Sequence, residues 1–178
     1  MAEFATTVLR AEHELIISVA GVLNRFLEAH PSGPIEDRVT ASDCISFFQL
    51  YADACHHAKE EDLLFPELER YGVPREGGPI GVMLHEHRVG RQLVAGMKAA
   101  LEGGDEDLFR DFSRQWLDLI TAHIGKENFV LFEMADQIVT GTACESLCAE
   151  YEVACSGKFG GRTRADLEEL ATDLSSRY

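Results

Sequence analysis

Residues 112–134 read FSRQWLDLITAHIGKENFVLFEM, and their spacing decides the fold. Phe112, Trp116, Leu119, Ile120, Val130, Leu131 and Met134 recur at the three- and four-residue intervals of one helix face. His123 and Glu127 sit in the middle of that apolar stripe, one turn apart. An ionised carboxylate is costly in a core unless it is paired or bound to a cation. The stretch therefore predicts a buried helix that presents an imidazole and a carboxylate to the interior.

The same i, i+4 pairing recurs at His56 and Glu60. There the phase through Ile45, Ala52 and Leu63 favours His56, while His57 lies nearer Leu50 and Leu64, so either histidine can face inward. The repeat Ile80, Leu84, His87, Arg91, Val94, Leu101 carries His87 in phase. His85 stands about 200° round the same helix and cannot share that direction. In the first helix His13, Ile16, Ala20, Leu23 and Leu27 place His13 inward, near one edge of the stripe. His30, just before Pro31, reads as a helix C-terminal cap, and the run Glu60-Glu61-Asp62 beyond Glu60 itself reads as a solvated face.

Outward from these residues, breakers fall at Pro31-Ser32-Gly33-Pro34, between Gly72 and Pro79, at Gly103-Gly104, at Gly141 and between Gly157 and Gly161. The stretches between them predict helices over about 3–29, 41–71, 79–102 and 105–139, then 142–155 and 163–176. Pro66 should kink the second helix or end it early. The expected fold is all-α: an up-down four-helix bundle in residues 1–140 and a C-terminal helical extension in 141–178. In the extension, Cys144, Leu147, Cys148, Tyr151 and Cys155 form one stripe, and Leu167, Leu170, Ala171 and Leu174 form another. Each needs a cover, either the bundle or a second copy in a homo-oligomer.

The 178 residues carry a formal net charge of −15. That field repels nucleic acid and anionic membrane surfaces. No apolar run approaches the length of a membrane span, and the start of the chain lacks a basic-then-apolar leader. The expectation is a cytoplasmic protein whose five cysteines are reduced thiols. Imidazole with carboxylate and no thiolate suits iron, with manganese or zinc fitting less well.

The blocks AEHELI (11–16), HHAKEEDLLFP (56–66), MLHEHRVGR (83–91) and HIGKENFVLF (123–132) resemble the hemerythrin-like, or HHE cation-binding, domain over about residues 5–140. The resemblance implies a four-helix bundle around a carboxylate-bridged pair of iron ions. It puts ligands at His13, His56, Glu60, His87, His123 and Glu127. Oxygen-carrying hemerythrins use His-x-x-x-His in the third helix and His-x-x-x-x-Asp in the fourth. Here Met83 and Arg91 flank His87 at that spacing, and Asn128 stands five residues after His123. The pattern is therefore nearer the bacterial iron–sulfur-repair and nitric-oxide-related branch. The implied function is a di-iron protein that binds or senses oxygen, nitric oxide or peroxide, or handles iron. In it the two glutamates bridge and two histidines hold each ion. The rival readings are an enzyme that acts on peroxide or nitric oxide or donates iron for cluster repair, and a metal-free helical interaction module.

Overall fold

The computed structural model describes residues 4–178, and all regular structure among them is helical. Helix α1 spans Thr7–Ala29. Helix α2 is one continuous run over 38–70, α3 is Pro79–Gly103, and α4 runs over 106–138. Helices α5 (Thr142–Ala154) and α6 (Arg164–Arg177) form the extension. The expected start of the first helix at residue 3 lies outside the described residues; the helix begins at Thr7. Helix α2 starts at Arg38, three residues before the expected point, because the Asp37 side chain accepts the Thr40 N–H at 3.1 Å and caps it. Between α3 and α4 the chain reverses in two residues. Gly104 takes a left-handed φ of 73°, and the Asp105 side chain accepts the Leu108 N–H at 3.0 Å.

Helix α1 packs against α2 and α4, and α3 packs against α2 and α4, which closes the four-membered bundle. Its interior is layered. One apolar layer contains Ile16, Leu23, Phe26, Phe47, Phe48, Met97 and Trp116. The other contains Leu9, Leu64, Phe65, Ile80, Met83, Leu131 and Phe132. The inward histidines and glutamates are held with these two layers. Both extension stripes are covered by the bundle of the same chain: Leu167, Ala171 and Leu174 join the first layer, and Leu147 and Tyr151 join the second.

Three expectations are corrected. Of the two effects expected of Pro66, the early end does not occur, and α2 continues to Arg70. The turns before it, over Phe48–His57 and Glu60–Leu64, are π-helical, and Pro66 stands in the first turn of the α-helical segment that follows. Val130, placed in the buried stripe of α4, is 53% exposed. A further π-turn at Glu127–Leu131 shifts the phase of the residues that follow it. Finally, Cys55 and Cys155 are joined in a disulfide with Cα atoms 4.9 Å apart, where thiols were expected. Their separation of 100 residues hides the pairing from any local reading. No helix among the described residues is long and apolar enough to cross a membrane.

Candidate metal centre

Four helices each bring one or more polar side chains to the same buried place. His13 comes from α1, His56 and Glu60 from α2, His87 from α3, and His123 and Glu127 from α4. None of the six is more than 2% exposed. Glu127 Oε2 lies 3.2 Å from both His13 Nε2 and His123 Nε2, so one carboxylate reaches across the bundle between α1 and α4. Glu60 does the same between α2 and α3, with Oε1 3.5 Å from His56 Nε2 and Oε2 3.4 Å from His87 Nε2.

A seventh residue joins them. His57 is 7% exposed, and its ring stacks on His87 with centroids 3.9 Å apart. Sequence phase left His56 and His57 as alternatives, whereas the structure turns both inward. They end the π-helical stretch of α2, where an extra residue per turn widens the face that looks into the bundle. His85 does not join: it is exposed and lines a surface groove with Arg75 and Arg88.

The ligand-type atoms fall into two groups. His13, His56, Glu60 and Glu127 offer atoms all within 4.8 Å of one another, and so do His57, Glu60, His87 and His123. Glu60 belongs to both. Each group could hold one metal ion.

The hydrogen bonds around the rings fix which nitrogen faces inward. His13 Nδ1 donates to Asn128 Oδ1 at 2.9 Å and His56 Nδ1 to Glu12 Oε2 at 3.0 Å. His57 Nδ1 donates to Asp53 at 3.4 Å, His87 Nδ1 to Glu61 at 2.7 Å, and His123 Nδ1 to Glu86 at 3.0 Å. With the proton held on Nδ1, each Nε2 lone pair is turned to the interior, the tautomer a metal-ligating histidine needs. Inside, Nε2 of His13, His56 and His57 and all four oxygens of Glu60 and Glu127 have no hydrogen-bond partner. His87 Nε2 and His123 Nε2 approach each other at 3.2 Å. Buried polar atoms left without partners cost roughly 1–3 kcal/mol each. So many, converging on one place, fit the donor set of cations.

Protonation follows the same logic. Burial, then the charge on His13, pushes His56 down to about 3, so the ring is neutral at ordinary pH. Burial likewise lowers His57 and His87. Burial, then the charge on Glu127, pushes Glu60 well up. Burial also opposes ionisation of Glu127, but His123 and His13 outweigh it and hold that carboxyl at about 2.

Several supporting residues were not visible as such in the sequence. Glu61, read as part of a solvated face, orients His87 and also accepts from Arg91 at 2.7 Å. Asn128, noted only as a departure from the oxygen carriers, orients His13. Glu12 and Lys59 are fully buried and ion-paired behind His56, and Arg164 of α6 reaches the same carboxylate at 2.9 Å. A cavity of about 80 Å³ runs up to His57 between Asp53, Arg91 and Trp116. It is sized for a small molecule.

The family model described as Hemerythrin HHE cation binding domain matches residues 5–135, a span that includes all seven inward residues. No curated protein and no solved structure matches the chain.

Proposed function

We propose that this chain, which belongs to the Hemerythrin HHE cation-binding domain family, holds a pair of iron ions and uses them to bind or sense a small oxidant such as oxygen, peroxide or nitric oxide. One observation carries the reading. Five histidines have Nδ1 hydrogen-bonded outward and Nε2 turned inward, around two carboxylates with no other partner. Among hard and borderline cations, a donor set of imidazole and carboxylate without thiolate suits iron.

In this reading His13, His56, Glu60 and Glu127 would hold one ion, and His57, His87, His123 and the shared Glu60 would hold the other. His57 replaces the two-per-ion division implied by the sequence. A redox-active pair of this kind supplies open coordination positions and electrons to an oxidant. The chain's own residues do the rest. Glu12, Asp53, Glu61, Glu86 and Asn128 orient the rings and raise their basicity. The apolar layers on either side exclude bulk water. The small cavity at His57 sets the size of what enters.

The test is metal analysis of protein purified without chelator, together with an optical spectrum. We expect about two irons per chain, as in carboxylate-bridged di-metal bundles. His123→Ala should lose most of that iron and the absorption that goes with it. Less than one iron per chain in every wild-type preparation rejects the reading. Changes of the spectrum with each gas or with peroxide then name the ligand.

A further inference from the structure

Tyr151 is a buried polar group that the centre described above leaves unexplained. It comes from α5, beyond the residues that match the family. It is 1% exposed, and its hydroxyl has no hydrogen-bond partner. Its ring lies in the apolar layer with Phe65 and Phe132. Those two rings stack directly on the centre: Phe132 on His13 at 5.1 Å and Phe65 on His87 at 6.0 Å. Helix α5 itself packs on the Glu60–Leu64 turn. Burial holds the phenol firmly protonated.

A phenol in such a place is normally hydrogen-bonded. Glu60, at the start of the turn on which α5 packs, likewise has both carboxylate oxygens without partners. The Tyr151 hydroxyl is thus a buried donor that lacks an acceptor, in the layer whose rings stack on the centre. An acceptor for it is small and rich in lone pairs, as a ligand of the adjoining centre would be.

We propose that the Tyr151 hydroxyl donates a hydrogen bond to the small ligand that binds at the metal centre, so that the C-terminal extension completes the ligand site. The inference rests on the di-iron reading. It adds a preference to it: ligands that carry negative charge on their outer atom gain from this donor, and neutral ones gain less.

Azide is the probe, titrated into iron-loaded wild type and Tyr151→Phe while the optical spectrum and iron content of each sample are recorded. Phenylalanine keeps the ring and its packing, so the variant should retain iron and fold as stably as wild type. Azide should bind it about ten-fold more weakly, the loss of one hydrogen bond to a charged acceptor. In wild type the azide vibration should shift when water is exchanged for deuterium oxide; in the variant it should not. Equal azide affinity with full iron in both proteins overturns the donor role and leaves the di-iron reading standing. So does loss of iron from the variant, which would make Tyr151 a structural residue. A phenolate-to-iron absorption that vanishes in the variant also overturns it, because a coordinated phenolate has no proton to donate. Absence of iron from the wild type overturns both readings together.

Discussion

Glu12 answers to three cationic or proton-donating groups at once: His56 Nδ1, Lys59 Nζ and Arg164 Nη1. Burial opposes its ionisation, yet the hydrogen bonds and charges of His56 and Lys59 hold its carboxyl at about 2. Lys59 is itself 0% exposed, so Glu12→Ala leaves an ammonium in the core without a counter-charge. Breaking one side of such a pair costs about 3–5 kcal/mol. Urea unfolding of the metal-depleted protein should show that loss. The double variant Glu12→Leu with Lys59→Met should recover most of it, since removing both charges together spares the desolvation penalty. A single-variant loss under about 1 kcal/mol would place Lys59 in contact with water instead. At this scale the sequence was readable where a polar residue interrupts an apolar stripe, as at His123 and Glu127. It was silent at Glu12 and Lys59, whose partners stand 47 residues apart. A charged residue beside a helix stripe reads as solvent-facing until its partner is known.

The helices themselves were legible from Gly and Pro spacing; the start capped by Asp37 moved by three residues and the one capped by Asp105 by one. The π-turns were not legible, because no composition marks them. Yet they bear on both departures in facing: Val130 turned out, and His57 turned inward together with His56 where the phase had left the two as alternatives, both lie in π-helical stretches. Two glycines test how tightly the helices are set. A Cβ on Gly96 of α3 would stand 2.8 Å from three ring carbons of Phe112 on α4. A Cβ on Gly125 of α4 would meet nothing within 4 Å. Gly125→Ala should therefore stabilise the protein by up to about 1 kcal/mol through helix propensity. Gly96→Ala should destabilise it by about 1–3 kcal/mol as the α3–α4 crossing is forced apart. Thermal unfolding of both variants decides. If Gly96→Ala gains as much as Gly125→Ala, Phe112 yields freely and the crossing is loose.

For the whole molecule, the extension is fastened to the bundle by three kinds of contact, and they differ in what they leave when cut. The apolar stripe Leu167, Ala171 and Leu174 joins α6 to the first core layer. The Arg164–Glu12 ion pair ties α6 to the network behind His56. The Cys55–Cys155 disulfide closes a loop of 100 residues, with one end next to His56. Closing so long a loop stabilises by about 2–4 kcal/mol, mostly by restricting the unfolded chain. Cys155→Ser should then lower the melting temperature by roughly 5–15 °C for a protein of this size. The folded state needs the bond less, because all seven inward residues come from α1–α4 and the stripe still holds α6 down. The variant should thus keep the iron content of wild type while it melts earlier. Iron lost in step with the disulfide would mean instead that the extension holds α2 in its π-helical register, and that the bundle alone does not build the centre.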